Sequence, residues 1–125
     1  MALTMLPPTA GAVPDVRFAH MIPVVRTERT RSVVALRGEA DLSTRRVLCD
    51  VLCRVIADRA GDVVIDMADT TFVDTAIVRA LGTAKQLLDR QDRILTIRSP
   101  SRLAVRVLQV FGLTDLIEAA DLVQR

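Results

Sequence analysis

Two apolar periods run through this chain: short, nearly continuous runs that read as strands, and longer segments spaced for helices. Ser32-Val33-Val34-Ala35-Leu36-Arg37-Gly38 and Val63-Val64-Ile65-Asp66-Met67 are compact apolar runs, the pattern of strands covered on both faces. Arg93-Ile94-Leu95-Thr96-Ile97-Arg98 alternates and predicts a further strand. Apolar residues also recur from Val16 to Val25, but Pro23 interrupts them, so a strand there lies at an edge or is broken. Thr30-Arg31 is placed to turn a hairpin into the strand that follows.

The helical period begins after Ser43, which is placed to cap it. Val47, Leu48, Val51, Leu52, Val55 and Ile56 share one half of a helical wheel and form a core-facing stripe, which Gly61 ends. A second helix runs from about Thr75 to Arg90 with Ile77, Val78, Leu81, Leu87 and Leu88 as its apolar set. Ser99-Pro100-Ser101 caps a third, Arg102 to Phe111, which stops at Gly112. Thr114 opens a last short helix carrying Leu116, Ile117 and Leu122. Residues 1–15, with Pro7, Pro8, Gly11 and Pro14, read as a flexible lead-in, and 16–125 as one folded domain.

Strands that alternate with helices imply right-handed crossovers and an α/β fold with a mixed, mostly parallel sheet of four to five strands. Whether the helices cover one face or both stays open at this point. The 125 residues suffice for a single core. A net charge of +2, with basic residues scattered among acids and threonines, argues against a nucleic-acid partner. The absence of Trp and Tyr removes the usual stacking platforms. No run approaches the roughly 18 apolar residues of a membrane span, so direct membrane insertion is not expected. The N-terminus lacks the basic region of a signal peptide, and two cysteines without an export signal fit reduced thiols and a cytoplasmic protein.

Candidate chemistry is sparse. His20 lies in the irregular N-terminal part and has no nucleophile beside it. No glycine-rich phosphate loop occurs, and no cofactor or metal is expected. The carboxylates Glu39, Asp41, Asp66 and Asp74 fall at or near strand C-terminal ends, the edge where α/β sites form. Without histidine ligands beside them they read as turn, capping and partner-contact residues, and the chain as a non-enzyme. Cys49 and Cys53 lie four apart on the first helix, the first on the flank of its apolar stripe and the second nearly opposite, and form a redox candidate. Asp74-Thr75 opens the second helix, where backbone N–H groups and the dipole favour negative charge. Thr75 is a candidate for phosphorylation there, or an N-cap whose hydroxyl accepts from the backbone.

Three stretches resemble the STAS domain, the family of sulfate transporters and anti-sigma factor antagonists. They are Val33-Val34-Ala35-Leu36-Arg37-Gly38-Glu39-Ala40-Asp41; Val64-Ile65-Asp66 with Phe72-Val73-Asp74-Thr75-Ala76 and Arg79-Ala80-Leu81; and Ser99-Pro100-Ser101 with Val105-Arg106-Val107-Leu108 and Phe111-Gly112-Leu113. The resemblance implies helices packed mainly on one side of the sheet. It also implies partner switching: an unphosphorylated antagonist binds an anti-sigma factor with a serine-threonine kinase-like fold, freeing a sigma factor, and lets go when phosphorylated. By the same resemblance the contact surface comprises Glu39, Asp41, Leu42, Asp74, Thr75, Ala76, Ile77 and Arg79. In the family's Asp-Ser-Ser/Thr-Gly loop the acceptor is the second hydroxyl residue, and here that position is Ala76, followed by Ile77 in place of Gly. Thr75 keeps the first hydroxyl. The Val-Asp-Thr-Ala loop also resembles a second STAS branch, the small cytoplasmic subunits of bacterial lipid ABC transporters, whose Thr contacts the ATPase. An exposed edge strand leaves both monomer and homodimer open.

Overall fold

In the computed structural model, which describes residues 22–40 and 44–118, the first two strands form an antiparallel hairpin. Strand β1 (Ile22–Glu28) pairs with β2 (Arg31–Ala40) from Ile22↔Arg37 to Glu28↔Arg31. The turn is Arg29-Thr30, one residue earlier than the sequence suggested, with Arg29 at a φ of 59°. Pro23 is tolerated because, among the described residues, β1 pairs only with β2 and needs no second ladder. From β2 the sheet continues in parallel through β3 (Val63–Asp66) to β5 (Leu95–Arg98).

Strand β4 (Thr70–Val73), where the hydrophobic pattern predicts no element, completes the five strands among the described residues. It lies beyond the end of β3 on the same side of β2, pairing Gly38↔Thr70 and Ala40↔Val73 across a register shift at Gly38/Glu39. The buried Thr70 hydroxyl donates to the Leu36 carbonyl at 2.7 Å and fixes this second pairing. Only a short turn separates β3 from β4, so hydrophobic patterning offers no room for two strands.

The helices are α1 (Arg45–Asp58), α2 (Thr75–Asp89) and α3 (Arg102–Val110), followed by a single 3₁₀ turn at Thr114–Leu116. Alternate residues of the strands, such as Val34, Leu36, Ile65 and Ile97, share one core with Leu48 and Leu52 of α1, Ile77 and Leu81 of α2, and Leu108 of α3. One face of the sheet therefore receives all three helices, as the family resemblance implied. The α1 stripe is narrower than expected: Val47 is 47% exposed, and Leu48, Leu52, Val55 and Ile56 carry the buried face. Leu87 is likewise exposed, and Ala84 takes the core position in its place.

Helix α1 stops at Asp58, before Gly61, and Arg93 holds its frayed end. The Arg93 guanidinium donates to the carbonyls of Ile56 (2.8 Å), Arg59 (2.7 Å) and Gly61 (2.7 Å), which a helix C-terminus would otherwise leave unpaired. The short final helix contracts to one 3₁₀ turn; Leu122, and the expected cap Ser43, lie outside the described residues.

The face of the sheet away from the helices carries a charged network. Arg98 grips Glu28 with two bonds of 2.9 and 3.2 Å and reaches Glu118 at 3.2 Å, while Arg31 donates to Glu28 at 2.6 Å. Arg26 stands 3.8 Å from Asp66. Hydrogen bonds from Arg98 first, and then Arg31, hold the Glu28 carboxyl down at about 2 against an ordinary value of 4.5. A carboxyl depressed in the folded state adds stability that is present above its unfolded value and is lost as pH falls through its folded one. Acid unfolding followed by circular dichroism should therefore show stability declining between about pH 4.5 and 2. Glu28→Gln should flatten that decline, an effect that solvent exposure keeps small.

Candidate functional site

Parallel strands deliver their C-terminal ends to one edge, and the loop from β4 into α2 forms there. The Asp74 amide donates to the Ala40 carbonyl at 2.8 Å, which ties this loop to the end of β2. The Asp74 carboxylate then caps α2, accepting from the Ala76 amide at 2.9 Å and from the Thr75 hydroxyl at 3.3 Å. Thr75 is thus the first helical residue and exposed, and the cap falls to Asp74 in place of the expected Thr75. The reason is chemical: the carboxylate one residue earlier is the stronger acceptor for backbone N–H groups. Asp74→Ala should cost about 1 kcal/mol, read as a lower thermal midpoint and faster amide exchange at Ala76.

Beside this helix start runs a groove of about 530 Å³ between α1 and α2. Arg45, Cys49 and Cys53 line its α1 wall, and Thr75, Ala76 and Arg79 line the α2 wall. Leu52, Ile56 and Ala80 add apolar lining, and Leu87 closes the far end. The Arg79 guanidinium lies 5.8 Å from the centroid of the Phe111 ring, a cation–π contact that links the groove's rim to the end of α3.

The expected contact residues divide into groups. Thr75, Ala76 and Arg79 gather on the groove, and Glu39 is exposed on the adjoining end of β2, opposite Phe72. Ile77 departs from expectation: it is fully buried in the core and presents no side chain to a partner. Its place in the helix turns it toward the sheet, where it anchors the start of α2. Asp41 and Leu42 lie outside the described residues, as does His20. Asp66 stands apart, accepting from the Ala68 amide at 3.0 Å in a turn. Among the described residues no three metal-ligating side chains come together.

Cys49 and Cys53 are free thiols, half-buried and exposed respectively, and both open on the same groove. The wheel set Cys53 opposite the core stripe; it is exposed, on the side of α1 that borders the groove beside α2. Arg45, Thr83 and Leu87 also line it and were missed. Leu87 carried a signal, an apolar side chain at the margin of its stripe; Arg45 and Thr83 carried none.

The chain matches the family model described as Mlab, STAS domain, over residues 24–122. It therefore belongs to the STAS domain family. Among curated proteins, none matches it in sequence. Among solved structures, the anti-sigma factor antagonist SpoIIAA in its unphosphorylated form is similar at a TM-score of 0.71 and 19% identity, over 82% of this chain and 96% of that one. An anti-sigma factor antagonist from Mycobacterium paratuberculosis is similar at a TM-score of 0.73 and 20% identity, over 86% and 94% of the two chains. A sulfate transporter family protein from Wolinella succinogenes is similar at 0.59 and 14% identity, over 74% and 79%. At these identities the likeness establishes the fold. No helix among the described residues is long and apolar enough to cross a membrane.

Proposed function

We propose that the chain is a non-enzymatic, cytoplasmic anti-sigma factor antagonist that binds a kinase-like anti-sigma factor and so releases a sigma factor. Its contact surface is the helix start and groove rim formed by Glu39, Asp74, Thr75, Ala76 and Arg79, with Asp41 and Leu42 on the adjoining segment. One observation carries this reading. The Asp74 cap fixes the backbone of a regulatory-type loop, and it is a methyl group, Ala76, that lines the groove at the position where the family's acceptor hydroxyl falls. The loop thus keeps its docking geometry without its usual switch. Thr75 is a poor substitute acceptor, because a phosphate there would crowd the Asp74 carboxylate that its hydroxyl now touches at 3.3 Å. The partner is a protein, with no nucleic acid and no membrane insertion, and β1, an edge strand among the described residues, permits a homodimer.

The Asp74-Thr75-Ala76 loop, which resembles that of the STAS subunits of lipid ABC transporters, favours a second reading, a subunit that contacts an ABC ATPase. Affinity capture from cells that carry the gene separates the two. Recovery of a kinase-like anti-sigma factor supports the antagonist, and recovery of an ABC ATPase overturns it.

A further inference from the structure

Two cysteines and two arginines line the groove between α1 and α2 among mostly apolar residues, and among the described residues that line it none is acidic. Cys53 is exposed and Cys49, one helical turn away, half-buried. A disulfide between them is disfavoured. Residues four apart on a helix hold their Cβ atoms about 5–6 Å apart, whereas a disulfide needs roughly 3.5–4.5 Å. The thiols are therefore available to an external sulfur rather than to each other. Arg45 and Arg79 stand on opposite walls of the same groove, suited to the carboxylates of an anionic small thiol.

We infer that Cys53 is a site of mixed-disulfide formation with an anionic low-molecular-weight disulfide, and that the adduct fills the groove beside Thr75 and Ala76. The Cys53 thiolate attacks one sulfur of the small disulfide. A new S–S bond forms to Cys53, the original S–S bond breaks, and the leaving half departs as a thiolate that takes up a proton. The Cys53 sulfur is oxidised, the departing half is reduced, and the small disulfide supplies the oxidising equivalents. The adduct brings negative charge and bulk to the surface from which the chain lacks its phosphate acceptor. Thiol chemistry then releases the partner where phosphorylation does not. This consequence, unlike the adduct itself, rests on the antagonist reading above.

Oxidised glutathione, which is anionic, and cystamine, which is cationic, are the probes. Each is reacted with the full chain, with rates normalised to the urea-unfolded chain and sites assigned by peptide mass mapping. Folded chain should favour oxidised glutathione over cystamine at Cys53 by roughly threefold or more, a preference that salt reduces and Arg45→Glu reverses. Equal normalised rates, or no adduct on folded protein, overturn the site. Cys53→Ser should abolish the main adduct; an unchanged yield at Cys49 overturns the assignment to Cys53. In the second arm, captured anti-sigma factor should be lost from the glutathione adduct and regained with dithiothreitol. Retention by the adduct overturns the gating. An untreated chain that captures no kinase-like protein overturns the antagonist reading instead, and the rate comparison still decides the site.

Discussion

Ala76→Glu is expected to leave the domain folded and to weaken partner binding by about two to three orders of magnitude. The fold should tolerate the change because Ala76 is only half-buried in the first turn of α2, which holds no acidic residue, and a carboxylate there is favoured by the helix dipole. Binding should not tolerate it. A charge left unpaired in a closed contact costs about 3–5 kcal/mol, and each 1.4 kcal/mol is about tenfold in affinity. Gln86→Glu, an equal charge on an exposed position of the same helix outside the groove, should have little effect. Calorimetric titration of the captured partner, paired with thermal melts of each variant, checks both halves. A twofold loss or less for Ala76→Glu would remove the helix start from the interface.

Gly61→Ala is expected to be among the most destabilising single-methyl additions available in this chain. Gly61 sits at a φ of +95°, and a Cβ there would lie 2.1 Å from the Thr30 carbonyl oxygen, which is backbone and cannot swing away. Left-handed strain of roughly 1–2 kcal/mol is added to overpacking of about 1–3 kcal/mol. The sum, around 3 kcal/mol, should lower the thermal midpoint on the order of 10 °C. The loop cannot easily relax, because Arg93 holds the Gly61 carbonyl at 2.7 Å and the neighbouring Asp62 carbonyl accepts from Ser32 at 2.9 Å. Gly112→Ala is the control: its φ is +68° but nothing lies within 4 Å, so only the strain remains. Equal losses at the two glycines would show that the close approach to Thr30 does not exist.

Elements whose periodicity is self-contained were legible from the chain. The strands around Val34, Ile65 and Ile97, and the three helices, each announce themselves in an uninterrupted pattern. Strand β4 was not, because Thr70–Val73 is four residues whose strand character depends on β2 continuing past β3. Pairing of that kind is set by tertiary register and leaves little trace in hydropathy. The N-terminal edge of α2 was legible as a site, but the division of labour inside it was not. Asp and Thr are both good caps by residue type, and only the backbone path decides that Asp74 takes the amide and leaves Thr75 exposed. Ile77 was named for its position in a family loop, whereas its side chain follows helical phase into the core. The groove escaped notice because it is a property of two helices at once. Cys53 looks outward on the wheel of α1 and becomes a wall residue only when α2 packs alongside.

In the proposed function this helix start docks the partner while its usual phosphate acceptor is replaced by Ala76. The direct measurement is to incubate the chain with its captured kinase-like partner and ATP, map phosphate by mass spectrometry, and follow the complex in the same samples. Thr75 should carry no stoichiometric phosphate, and the complex should be as stable with ATP as without it. Stoichiometric phosphate on Thr75, accompanied by release of the partner, would contradict this reading and restore an ordinary switch one residue earlier in the loop.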